Sequence, residues 1–164
     1  MKGKILVAGI GNMFLGDDAF GVEVVKRMRK RPLPENVSII DFGMRSYDLA
    51  YALMQDWDLV ILVDAICRGA EPGTLFTIRP DLPHDEVTVA IDAHVMNPVA
   101  ALRLVKTLGG RIAPLLVVGC EPATVEPNPD GNFVLSEQVD AAIDQAIAMV
   151  EQLITRARTA PSAA

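Results

Sequence analysis

Apolar residues fall along the chain in two alternating patterns, short continuous runs and helically spaced sets, and that alternation predicts the architecture. Lys4 to Ala8 reads as a buried strand, and Asp18 to Arg29 follows as a helix with Phe20, Val24, Val25 and Met28 on its apolar side. Val37 to Ile40 gives a second strand beyond the connector Arg31-Pro32-Leu33-Pro34. Tyr47 to Met54 gives a short helix, and Leu59-Val60-Ile61-Leu62-Val63 the most apolar strand. Thr74 to Ile78 comes too soon after it for a full crossover helix, which predicts an antiparallel or edge strand. Asn97 to Leu108 reads as a helix with Pro98 tolerated in its first turn, and Leu115 to Val118 as another buried strand. Ser136 to Ile154 closes the pattern as a helix capped at Ser136. The order predicts one three-layer α/β/α domain with a mostly parallel twisted sheet and one antiparallel strand. Residues 1 to 154 are assigned to that domain and 155 to 164 to a flexible tail.

Composition narrows the class. A chain of 164 residues suits one compact core. Its 21 acidic residues against 15 Lys and Arg leave a formal charge of −6, which disfavours nucleic acid as a partner. The run Leu59 to Val63 is far shorter than the roughly 20 residues of a membrane span, and no membrane insertion is expected. The two cysteines, Cys67 and Cys120, show no Cys-x-x-Cys spacing and suit a reduced, cytoplasmic protein.

In a parallel sheet flanked by helices, ligands gather beyond the carboxyl ends of the strands. Gly11-Asn12, Asp41, Asp64, His94 and Gly119-Cys120-Glu121 all fall in or near those connections. The segment Gly9-Ile10-Gly11-Asn12 leads from the first strand to the acid pair Asp17-Asp18. A dinucleotide site fits it poorly, because Phe14 stands where the third glycine belongs and the two acids would face a pyrophosphate. No Gly-Lys-Ser or Gly-Lys-Thr sequence marks a phosphate loop. Either acid of the pair can serve the helix start electrostatically. Asp18 is the candidate that faces a metal, and Asp17 is read as structural or as a support for the metal-facing group. Asp64 ends a buried strand, where a carboxylate is costly unless hydrogen bonds, a cation or solvent satisfy it, although helix capping is its ordinary alternative. His94 supplies a nitrogen donor that would complete an oxygen-rich nickel or zinc site with Asp18 and Asp64; His84 is the lesser candidate.

These motifs together resemble the [NiFe]-hydrogenase maturation endopeptidases, which remove a carboxy-terminal extension from the nickel-loaded hydrogenase large subunit. Gly9-Ile10-Gly11-Asn12, Asp17-Asp18, Asp64-Ala65-Ile66 with Pro72-Gly73-Thr74, His94 before a helix, and Gly119-Cys120-Glu121-Pro122 with Leu135-Ser136 occur in the family's order. The resemblance implies that Asp18, Asp64 and His94 are the catalytic and nickel-contacting set. It further implies that the nickel arrives with the large-subunit precursor, so that the purified enzyme is metal-free. The first acid is often glutamate in that family, one methylene longer than Asp18. Its Asp-Gly-Gly-Thr segment corresponds here to Asp41-Phe42-Gly43-Met44, a departure that points to substrate recognition, with Gly43 and Arg45 as substrate-binding candidates. Surface exposure at a helix start is the plainer role for Arg45.

Serine and cysteine mechanisms fit less well. Ser38, Ser46 and Ser136 have no evident His/Asp arrangement; Cys67 and Cys120 lie near strand ends, but a cysteine mechanism needs a thiolate and a base, and the two acids with His94 fit the maturation chemistry better. A nickel-sensing or hydrogenase-assembly chaperone module without catalysis is the alternative, since ligand residues alone do not prove peptide cleavage. The oligomeric state is left open, with a monomer admissible.

Overall fold

The computed structural model describes residues 3–80 and 98–160. Its elements are β1 (Ile5–Ile10), a short 3-10 turn (Gly16–Ala19), α1 (Phe20–Met28), β2 (Val37–Gly43), α2 (Ser46–Leu53), β3 (Leu59–Ala65), β4 (Leu75–Ile78), α3 (Pro98–Thr107), β5 (Leu115–Cys120) and α4 (Glu137–Thr159). The strands form one five-stranded sheet in the order β2-β1-β3-β5-β4. The pairs of β1 with β2 and β3, and of β3 with β5, are parallel. β4 runs antiparallel along the β5 edge, with Leu75 opposite Cys120. The single domain, the mostly parallel sheet and its one antiparallel strand are those expected from the sequence.

Alternation along the central strands divides the core in two, because successive side chains leave a strand on opposite faces. Ile5, Val7, Ile61 and Val63 pack with buried residues of α1 and α4. Leu6, Ala8, Ile10, Val60 and Leu62 pack with α2 and α3 on the other face. In α4 the buried positions Val139, Ala142, Ile143, Ala146, Ile147, Val150 and Ile154 recur at the three- and four-residue spacing of a helix lying on a sheet. The placement gives the first two crossovers the same hand, as the handedness rule for parallel sheets requires. The chain steps outward from β1 to β2 through α1 on one face, then back across β1 to β3 through α2 on the other.

The boundaries that differ from the sequence reading include two helix ends. Asp18 lies in the 3-10 turn rather than opening the α-helix, which begins at Phe20. At the other end, α4 continues to Thr159, so Thr155 to Thr159 of the expected tail are helical. Arg156 and Arg158 favour the negative helix end, and no breaker occurs before Ala160, which turns extended ahead of Pro161.

Candidate active site

Strand order reverses at β1 and β3: the chain leaves β1 toward β2 on one side and β3 toward β5 and β4 on the other, a topological switch point of the kind that opens a crevice. Asp18 follows β1, and Asp64 is the penultimate residue of β3. Glycine brings their backbones this close. A methyl group on Gly21 would lie 2.0 Å from the Val63 carbonyl oxygen and 2.4 Å from that of Ile10, so α1 can start against the ends of both strands only without a side chain there.

Both carboxylates are only 8% exposed. Asp18 Oδ2 accepts a hydrogen bond from the Asn12 N–H at 2.8 Å. Burial raises the Asp18 pKa above the usual carboxylate value, and the Asn12 bond opposes that shift. Asp64 is pushed well above it, first by burial and then by the negative charge of Asp18; a bond from the Ala65 N–H offsets part of the effect. Among the described residues, neither acid forms an ion pair. Two adjacent buried carboxyl groups without a cation bind a proton readily and offer oxygen donors to a divalent ion.

Asp17 faces the other way and is fully buried. Its carboxylate accepts from the N–H groups of Ala123 at 2.7 Å and Thr124 at 3.2 Å. It also accepts from the N–H and hydroxyl of Ser136 at 2.7 and 2.8 Å. The structural role expected for Asp17 is therefore a clamp joining the turn that carries Asp18 to the β5–α4 connection and the α4 cap.

The end of β2 reaches the same region through a register irregularity, with Gly9 opposite Asp41 but Ile10 opposite Gly43. Gly43 adopts a left-handed φ of 52°, and its carbonyl accepts the Gly11 N–H at 3.0 Å. Arg45 folds over its own turn. Its guanidinium donates to the carbonyls of Phe42 and Asp41 and meets Asp48 at 3.2 Å. Arg45 thus braces the Gly43 loop at the helix start.

Glu121 is a participant whose task the sequence did not reveal. It is buried and accepts from the N–H groups of Arg68 at 2.7 Å and Gly69 at 3.3 Å, holding the loop after β3. Cys67, in that loop, is an exposed free thiol, and Cys120 is buried. Among the described residues no group of three or more His, Cys, Asp or Glu side chains is arranged to hold a metal ion. His94, the expected third donor, and His84 lie outside the described residues. No helix among the described residues is long and apolar enough to cross a membrane.

An α/β sheet with acids at its switch point defines a class of site rather than an activity; comparison with known proteins supplies the family. The family model for hydrogenase maturation protease, HycI, matches residues 22–153. A candidate hydrogenase maturation protease of Methanocaldococcus jannaschii is 37% identical over 150 residues, covering 91% of this chain and 95% of that protein. The Escherichia coli hydrogenase maturating endopeptidase HybD superposes with a TM-score of 0.77 at 29% identity, over 93% of each chain. A hydrogenase 2 maturation peptidase from a Thaumarchaeota archaeon superposes at 0.70 with 27% identity, over 93% of this chain and 98% of that one. The chain belongs to the hydrogenase maturation protease family.

Proposed function

We propose that this protein is the endopeptidase that removes the carboxy-terminal extension from the nickel-loaded large subunit of a [NiFe] hydrogenase, with the nickel of the substrate as recognition element. The observation that carries this reading is the pairing of Asp18 and Asp64 at the switch point, both buried and neither ion-paired among the described residues. A divalent ion delivered by the substrate would relieve the repulsion between the two carboxylates and favour their charged forms. His94 is the proposed third contact, an imidazole donor that would suit nickel or another first-row transition ion better than magnesium or calcium.

The reaction is hydrolysis of one peptide bond. Water oxygen adds to the scissile carbonyl carbon, the C–N bond breaks, and the departing amine takes up a proton. The carboxylates fix the loaded metal centre so that the adjoining extension lies across the crevice, and positioning of this kind contributes to the rate. Gly43 and Arg45 form the rim on the β2 side, where the turn meets the incoming chain. A cytoplasmic location accords with a reduced pair of free cysteines.

Mass spectrometry of a large-subunit precursor, nickel-loaded and nickel-free, before and after incubation with the protein tests this function. Loss of the extension from the loaded form alone is the expected result. Equal cleavage of both forms would remove nickel recognition. Stable binding without cleavage would make the protein a non-catalytic assembly module.

A further inference from the structure

A groove of about 740 Å³ opens beside the crevice, on the α1 and α4 side of the sheet. Its apolar surface comes from Met13, Val22, Phe133, Val134 and Leu135. Phe133 and Val134 are 59% and 63% exposed, which is unusual for side chains of this kind grouped at one place. Phe133 is held there by an edge-to-face contact with Phe14, ring centroids 4.9 Å apart. The groove adjoins the candidate site through the chain itself. Met13 follows Asn12 and Ala19 follows Asp18, so two lining residues flank the Asn12–Asp18 hydrogen bond.

Charge distinguishes what the groove accepts. Its two cations are already engaged: Arg27 bonds Glu23 at 2.9 Å and Asp140 at 2.7 Å, and Lys26 lies 3.8 Å from Glu23. The carboxylates of Asp41 and Glu137 also line it, and neither forms an ion pair among the described residues. An apolar floor under unpaired carboxylates fits an apolar segment that carries Lys or Arg. The volume suits a few side chains, as in a peptide groove, rather than the face of a folded domain. A second copy of this chain, itself at −6, is a poor electrostatic match.

We propose that this groove receives a short, apolar, positively charged segment of the large-subunit precursor. The inference rests on the function proposed above and adds a docking surface separate from the metal contacts. The surface would hold the precursor whether or not the metal is engaged.

The test compares the wild-type protein with Val134→Lys and Glu137→Gln, measuring precursor binding by calorimetry and cleavage by mass spectrometry, with melting curves to verify folding. Val134 is exposed, so its replacement leaves the core intact. Val134→Lys, which puts a cation on the groove floor, should weaken binding about tenfold, or about 1.4 kcal/mol, and leave the cleavage rate at saturation within roughly twofold. Glu137→Gln should weaken it less. Wild-type binding should also weaken as salt rises. Unchanged affinity in both folded variants, with cleavage intact, overturns the groove and leaves the peptidase reading standing. Weakened binding in the variants when even the wild-type protein does not cleave supports the groove and overturns the peptidase reading. No wild-type binding overturns both. Conversion of a wild-type dimer to a monomer by Val134→Lys assigns the groove to a second copy and overturns the proposal.

Discussion

Asp17 and Ser136 are joined across 119 positions of sequence by two hydrogen bonds, from the serine N–H at 2.7 Å and its hydroxyl at 2.8 Å. The same hydroxyl accepts the Val139 N–H, so one buried carboxylate fixes both the α4 cap and the turn beside Asp18. Asp17→Ala would leave four donors without their acceptor at a part-buried site, each costing up to about 1–3 kcal/mol where water does not reach it. A loss of about 3 kcal/mol or more in chemical denaturation is expected, with Asp17→Asn intermediate. A change under about 1 kcal/mol for the alanine variant would mean that the clamp does not support the fold.

Gly21 is the second structural pivot. Gly21→Ala forces a methyl group to 2.0 Å from the Val63 carbonyl oxygen, a backbone atom with little freedom to yield. Overpacking of this kind costs about 1–3 kcal/mol, and this contact belongs at the upper end. Gly43→Ala, with nothing nearer than 3.7 Å, bears only the left-handed backbone penalty of about 1–2 kcal/mol. Comparing the melting temperatures checks the order: Gly21→Ala should be the less stable of the two.

Much of this arrangement was legible in the apolar runs. A short continuous run such as Leu59 to Val63 fits a strand buried on both faces, and the alternation with helices points to a parallel sheet that brings Asp18 and Asp64 to the same end. The extents were harder to read. β3 continues through Asp64 to Ala65, and β5 through Gly119 to Cys120, because backbone pairing between those two strands persists after side-chain hydrophobicity stops signalling it. The 3-10 turn at Asp18 was hidden for a related reason: what holds Asp17 is a backbone more than a hundred positions away. The partners of Glu121 are backbone N–H groups, which carry no residue signature, and Arg45 gives no sign in sequence that it will bond to its own turn.

The raised pKa of Asp64 has a thermodynamic consequence. Its folded form holds a proton at a pH where the unfolded chain has lost it, so this group favours folding at low pH. That contribution disappears as pH rises through the folded value. Asp64→Asn removes the charge that burial and Asp18 oppose. The variant should therefore melt above the wild-type protein at about pH 8, with the gap closing toward about pH 4. A gap that stays constant with pH would show that Asp64 does not titrate in this way.

The two thiols should separate chemically. Cys120 is buried, and that burial, together with the charges of Asp17 and Glu121, raises its pKa to about 11 despite an opposing bond involving the Gly73 backbone. Cys67 is exposed. Alkylation of the native protein near neutral pH should label Cys67 alone, and denaturation should expose the second site. Peptide mapping distinguishes them, and labelling of Cys120 in the folded protein would contradict its enclosure.

Asp18 offers the sharpest separation of chemistry from folding. Asp18→Asn keeps an oxygen that can accept the Asn12 N–H while removing a charge that burial opposes, so the fold should be as stable as the wild-type protein or more so. Cleavage of nickel-loaded precursor should nevertheless fall by roughly 100-fold or more, the scale seen when one electrostatic contact of a reaction centre is lost. Asp18→Glu restores the carboxylate on a chain one methylene longer, the side chain that the resembling family often carries at this position. It should recover a substantial part of the rate. A structural role alone predicts the reverse order, because glutamate is the bulkier change in a crowded turn and asparagine the closer mimic. Rates measured together with melting temperatures decide between them. A stable Asp18→Asn protein that cleaves at the wild-type rate would remove Asp18 from the metal-facing set, and the proposed site would then have to be rebuilt around Asp64.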